Sequence, residues 1–310
     1  MTKGMNRDRP AEDRRAGTGG EAEATQPAQA GRPGHRTYRV DLEYDGTDFS
    51  GWARQPDRRT VQDTVERALA VFLRHAVTIG VAGRTDAGVH ASAQVASFDT
   101  DVPVDPLRLR LGLNSMLPSD VAVRAVSQAA DGFDARAASA RTYRYRVCLA
   151  SVRPVLERAF VWHLHRPIDT AVLPQAASLF MGHRDWSALT PSAHEYRHCE
   201  REITEAHWCC VTVHRAERRL EPMIVQSASN ACGVQDARDA RTPEVSEWVF
   251  EVTAASFLHN MVRVMVGSMV DAAQGRLTVD DLRCGIESGA RRNMGQTAPA
   301  RGLCLVGVRY

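Results

Sequence analysis

Tyr38-Arg39-Val40-Asp41-Leu42-Glu43-Tyr44 alternates apolar and polar side chains without a break and is closed by the turn signal Asp45-Gly46. A period of two marks a strand with one face against a core. The alternation returns over 141–149, with Tyr143, Tyr145, Val147 and Leu149 on one side and Arg144, Arg146 and Cys148 on the other. Further strands are expected over 94–98, 121–126, 206–213, 247–254 and 303–310. A helix is expected behind Thr60 as N-cap, with Asp63 in a capping-box-like position and Val61, Val65, Ala68, Leu69 and Phe72 on one face. Others are expected over 107–116, ended by Pro118, over 173–181 and over 257–273. In the last, Phe257, Met261, Met265 and Met269 recur at i+4 and read as a core stripe. Strands and helices alternate, yet several strands are neighbours in sequence, which predicts an α+β fold with antiparallel sheet. The expected organisation is two related halves flanking a cleft, 36–136 and 137–310. Residues 1–35, rich in Gly, Ala, Pro, Arg and Glu, read as a disordered tail, and the polar stretch 214–246 as a flexible insertion.

At 310 residues and 44% apolar the chain can bury one large core or two medium ones. Lys and Arg number 39 against 37 Asp and Glu, so overall charge announces no polyanion. The local distribution is more telling. From Ala135 to Pro167 there are arginines at 136, 141, 144, 146, 153, 158 and 166 but Glu157 as the one acid, interleaved with Tyr143, Tyr145, Phe160 and Trp162. Cations for phosphates beside aromatic faces for unstacked bases is the composition of a site for single-stranded or loop RNA; a solvated strand face with its aromatics in the core has the same composition. The seven cysteines (148, 199, 209, 210, 232, 284, 304) are odd in number and lack C-x-x-C spacing, which points to reduced thiols. No stretch has the length and apolarity of a membrane span, and a soluble cytoplasmic protein is expected.

Chemistry concentrates in Gly83-Arg84-Thr85-Asp86-Ala87-Gly88-Val89-His90. In an extended segment Arg84 and Asp86 project to the same side, where a guanidinium favours the ionised carboxylate. Flanking glycines let the backbone turn or approach a ligand closely. An ionised, positioned aspartate can act as a nucleophile. A competing chemistry is offered by His194-Glu195-Tyr196-Arg197-His198, an H-E-x-x-H pattern that on a helix would present two imidazoles to zinc beside a glutamate base, as in a zinc peptidase. Its flanks, Thr190-Pro191-Ser192-Ala193 and Cys199-Glu200-Arg201-Glu202, lack the periodicity of a buried helix, so a polar surface segment is expected and no metal site is assigned.

The octapeptide is one of several segments in a recognisable order. Tyr44-Asp45-Gly46-Thr47-Asp48-Phe49-Ser50-Gly51-Trp52 precedes it. Phe133-Asp134-Ala135-Arg136, Arg141-Thr142-Tyr143-Arg144-Tyr145, Phe257-Leu258-His259-Asn260-Met261-Val262-Arg263 and Thr297-Ala298-Pro299-Ala300-Arg301-Gly302-Leu303 follow. From about Tyr38 to Tyr310, apart from 214–246, the chain resembles the tRNA pseudouridine synthase A family, whose members isomerise uridines 38–40 of the tRNA anticodon stem-loop. The resemblance implies two α/β halves joined along a continuous sheet with the active-site cleft between them. It implies Asp86 as nucleophile, Arg84 and Arg263 as supporting cations and Tyr143 as the ring that stacks on the target base. Arg136, Arg141 and Arg144 become candidate tRNA contacts. It implies no cofactor, and a homodimer in which one tRNA touches both subunits. Ala53 stands where glutamine is usual, and Asp134 where many members carry histidine. An RNA-binding protein of this descent that has lost catalysis and acts as a tRNA-folding chaperone is the alternative from another functional class.

Overall fold

The computed structural model describes residues 36–212 and 245–310; the tail and nearly all of the 214–246 insertion lie outside the described residues. In chain order the elements are β1 (Arg36–Tyr44), α1 (Val61–Leu73), β2 (Gly80–Val81), β3 (His90–Thr100), α2 (Pro106–Met116), β4 (Val121–Gln128), β5 (Ala140–Leu149) and β6 (Trp162–Leu164). There follow α3 (Val172–Ser178), β7 (Gly182–Asp185), β8 (Glu200–Thr212), β9 (Ser246–Ala254), α4 (Met261–Ala273), α5 (Val279–Glu287) and β10 (Leu303–Arg309). The expected α+β class stands.

Local chemistry accounts for most boundaries. Tyr38, Val40, Leu42 and Tyr44 are buried and their neighbours in β1 are half-exposed, as the period of two requires. Thr60 accepts a hydrogen bond from the Asp63 N–H at the start of α1. Only half of a capping box forms there, because the Asp63 carboxylate pairs with Arg54 and Arg67 instead. The complete box is at Thr278 and Asp281 on α5, a short helix not among the expected ones. Asp105 caps α2, with Pro106 in the first turn. The Met-stripe helix starts at Met261, not 257, because Asn260 takes a left-handed conformation with φ 60°. Met261, Met265 and Met269 are core as expected, while Phe257 falls in the preceding loop. The strand expected from 206 starts six residues earlier, where Glu200–Ile203 pairs with the wholly exposed β7.

The strands form one sheet in the order β4-β1-β3-β10-β5-β9-β8-β7, with β2 on β3 and β6 on β5. Antiparallel ladders build both sides, β4-β1-β3 and β10-β5-β9-β8-β7. They meet in a short parallel seam that pairs Cys304 with His90 and Leu305 with Ala91. Buried His90 pins that seam from the side chain. Its Nε2 faces the carbonyls of Ala159 (2.9 Å) and Arg301 (3.2 Å) and therefore donates, and its Nδ1 lies 3.0 Å from the Gly46 nitrogen and 3.1 Å from Asp45 Oδ1. One face of the sheet shares a single apolar cluster with all five helices, from Tyr38 and Leu69 on one side to Tyr145, Met265 and Leu282 on the other. The opposite face carries ion pairs, among them Arg39–Asp41, Arg144–Glu251 and Arg146–Glu247.

Candidate active site

The loop 82–89 between β2 and β3 is held from several directions. Gln94 is fully buried on β3 and donates to the Gly83 carbonyl (2.7 Å) and to the Tyr44 hydroxyl (3.1 Å). The Tyr44 oxygen accepts there, so its own proton goes to the Thr85 hydroxyl 2.8 Å away. Burial pushes the Tyr44 pKa well up, against the opposing pull of Thr85 and Gln94, so the phenol stays a neutral link. The Trp52 N–H donates to the Thr85 carbonyl (2.9 Å), and the Gly88 N–H to Phe49 (3.2 Å). Asp86 is thus presented by a braced loop, with about a quarter of its side chain (27%) exposed.

Asp86 opens into a cleft of about 410 Å³, within the range of small-molecule sites. Tyr143 from β5 and Leu303 from β10 line it between the Asp86 loop and residues 256–262. Tyr143 is buried and meets Phe257 edge-on at 5.2 Å between ring centres. Gly83 lies against the Tyr143 hydroxyl at a distance where even a Cβ would make only ordinary van der Waals contact (3.5 Å). Burial, then the neighbouring Tyr44 and Asp86, drive the Tyr143 pKa far up, and the ring remains a neutral face.

The expected cations are placed differently. Arg84 is exposed and lines the same cleft, but among the described residues Asp86 makes no ion pair with it. The nearest basic group to Asp86 is His259, with Nε2 3.8 Å from Oδ1. Arg263 donates through Nε to the Ala298 carbonyl (2.8 Å) and through Nη1 to Asn260 Oδ1 (2.6 Å). That bond fixes the Asn260 amide, whose Nδ2 then donates to His259 Nε2 at 3.2 Å, so His259 Nδ1 carries the proton toward Ser192 Oγ. Arg263 therefore positions Asn260 and, through it, His259, whose ring faces Asp86 at 3.8 Å, beyond hydrogen-bond reach. Neither was singled out in the sequence, although both lie in a quoted segment. Gln94 had a legible signal, a polar residue on the face shared with Ala96 and Phe98.

The candidate tRNA arginines are mostly engaged within the protein. Arg136 pairs with Asp134, and Arg144 with Glu251. Burial and the Arg136 bonds act oppositely on Asp134; the bonds win and its pKa is lowered. Arg141 donates to four carbonyls, those of Ala82, Arg136, Ala138 and Ala255, and burial lowers its pKa. The run that looked unopposed in sequence is met by Asp134, Glu247 and Glu251 in space.

The zinc reading fails. His194 and Glu195 sit in a 3₁₀ turn, 80% and 63% exposed, and no metal-like cluster of His, Cys, Asp or Glu occurs among the described residues. A one-turn helix cannot hold the two histidines on a buried face. The segment instead closes the cleft: the Tyr196 hydroxyl accepts from the His259 N–H at 2.9 Å and Tyr196 lines the site.

The family described as tRNA pseudouridine synthase matches residues 42–136 and 176–310. The chain is similar to tRNA pseudouridine synthase A of Pelobacter propionicus, 36% identical over 279 residues that cover 89% of this chain and 100% of the relative. It is 34% identical over 276 residues to the Geobacter sulfurreducens enzyme of the same name (89% and 100%), and 37% identical over 272 residues to that of Aeromonas hydrophila (87% and 89%).

Proposed function

The chain belongs to the tRNA pseudouridine synthase family, isomerases that convert uridine to pseudouridine, and from that premise we propose that Asp86 is its nucleophile and uridines 38–40 of the tRNA anticodon arm its targets. The observation that carries the assignment is the position of Asp86: a braced, part-exposed carboxylate at a nucleoside-sized cleft, beside a neutral tyrosine ring. A uridine taken out of its stack lays its base against Tyr143 and Phe257. The carboxylate assists cleavage of the N1–C1′ bond, the base turns, and C5 bonds to C1′; C5 then gives up its proton, N1 takes one up, and the Asp86 carboxylate is left unchanged. Substrate and product have the same composition, so the rearrangement balances without an oxidant, a reductant or a second substrate. Arg84, which lines the same cleft, and Arg263, which positions Asn260 and through it His259, are the supporting cations.

Asp86→Asn tests this, being nearly isosteric but not nucleophilic. Tritium release from 5-tritiated uridine tRNA falls by several orders of magnitude while tRNA binding persists. Retained release overturns the assignment. Pseudouridine mapping in tRNA from cells lacking the protein locates the target positions. The enzyme acts in the cytoplasm, and among the described residues no helix is long and apolar enough to cross a membrane. It works as a homodimer whose subunits each contribute two α+β halves; Val152, Val155 and the 79% exposed Leu156 supply an apolar surface for association. A monomer in sedimentation at micromolar concentration excludes the dimer.

A further inference from the structure

We propose that Arg141 is a positioning residue that sets the spacing between the Asp86 loop and the 256–260 loop, and does not contact tRNA phosphate. Its Nε donates to the Ala82 carbonyl at 2.7 Å, immediately before Gly83 and the catalytic loop. Nη1 reaches the Ala255 carbonyl, immediately before Ser256–Asn260, and the Ala138 carbonyl at 2.5 Å. Nη2 donates to the Arg136 carbonyl at 2.9 Å. One half-buried guanidinium thus joins three backbone segments, two of which carry the groups that face each other at Asp86 and His259. A guanidinium has five N–H donors in a rigid plane, and an ammonium has three on a flexible stem that cannot reproduce this fan. A phosphate would have to displace carbonyls that have no other partner of comparable charge, whereas the exposed Arg84 is available to RNA without that cost.

The two roles separate experimentally because Arg141→Lys keeps the charge and loses the geometry. A misplacement of about 1 Å at reacting groups costs about 10²-fold in rate. Arg141→Lys therefore lowers single-turnover pseudouridine formation at saturating tRNA by about 10²-fold, with the tRNA Kd within about threefold of wild type. The salt dependence of binding keeps its slope, whereas a lost phosphate contact reduces it by about one unit. Hydrogen exchange rises at the Gly83–Thr85 and Ser256–His259 amides of the variant. Arg141→Met shows the same pattern if it folds, and Arg141→Lys alone decides if it does not. An unchanged saturating rate overturns the proposal, as does weaker binding with a shallower salt slope. So does an Arg141→Lys chain that fails to fold, which would make the residue general scaffold. The inference rests on Asp86 as the reacting group, and the two fail separately. An active Asp86→Asn enzyme removes the nucleophile, whereas an inactive one beside a fully active Arg141→Lys removes only the role of Arg141.

Discussion

Gly51→Ala probes how tightly the Asp86 loop is wedged. Gly51 has φ 96°, a conformation that L side chains rarely adopt, and a Cβ added there would lie 2.9 Å from the Thr85 carbonyl oxygen, 3.2 Å from Ala87 N and 3.3 Å from Asp86 C. All three are backbone atoms of the Asp86 loop, so no rotamer change relieves the contact. Nor can Gly51 retreat easily, because its carbonyl accepts from the Val61 N–H at the start of α1 and the next N–H is bonded to Thr85. Gly132 isolates the backbone part of the effect: its φ is 80°, and a Cβ there meets nothing within 4 Å. Each alanine costs about 1–2 kcal/mol in left-handed strain. Gly51→Ala adds about 1–3 kcal/mol of overpacking, giving about 2–5 kcal/mol in all. A typical domain has about 5–15 kcal/mol to lose, so the variant remains assayable. Guanidinium unfolding should place Gly51→Ala below Gly132→Ala by the packing difference. Single-turnover tRNA modification should fall about 10- to 100-fold in Gly51→Ala and hold its wild-type rate in Gly132→Ala. Equal midpoints and equal rates for the two variants refute the argument that Gly51 shapes the loop.

His259→Phe severs the relay from Asn260 to Ser192 and sets an apolar ring beside Asp86; the saturating rate should drop about tenfold with tRNA affinity retained, and a wild-type rate would show the relay to be idle. Acid stability should report Asp45. Burial raises its pKa, but the Thr47 hydrogen bonds and then His90 outweigh that and hold it below the ordinary carboxylate value. A carboxyl depressed in the folded state contributes stability that is fully present above its unfolded pKa of about 3.9 and is lost as pH falls through the folded value. The midpoint gap between wild type and Asp45→Asn, measured by denaturant titration from pH 6 downward, should therefore stay constant to about pH 4 and close below it. A gap that widens with acid contradicts the sign.

What could be read from the chain alone is whatever is written locally. β1 and β5 declare themselves by strict alternation, α1 by its cap and apolar face, and the Met stripe by its spacing. The Asp86 loop stood out because two glycines flank an arginine and a carboxylate within eight residues. Less is legible where the deciding partner is remote. Arg144 and Arg146 looked like free cations because Glu251 and Glu247 lie 107 and 101 residues away. At the H-E-x-x-H match the local reading holds, since flanks without apolar period predict a polar surface segment and the chain makes an exposed 3₁₀ turn there. Arg84 and Asp86 share the cleft wall, yet sharing a side does not bring their charged ends together.

The topology explains why one guanidinium matters so much. Asp86 is carried by the loop entering β3 and His259 by the loop leaving β9, and two strands, β10 and β5, lie between those two. Three strand spacings of about 4.8 Å put the supporting strands about 14 Å apart. Yet Asp86 and His259 approach to 3.8 Å, so both loops must lean inward over the floor that Tyr143 and Leu303 form. Nothing in either strand ladder fixes how far each loop leans, since ladder hydrogen bonds stop at the strand ends. The ties that do are Tyr44 and Gln94 on the Asp86 side, Asn260 and Tyr196 on the other, and Arg141, rooted in β5 between them and bonded toward both. Side-chain bonds from the floor to the rims therefore set the cleft width. Loosening Arg141 should widen the cleft without unpairing a strand, so a loss of rate without a loss of sheet, as judged by far-ultraviolet circular dichroism, is the outcome this geometry requires.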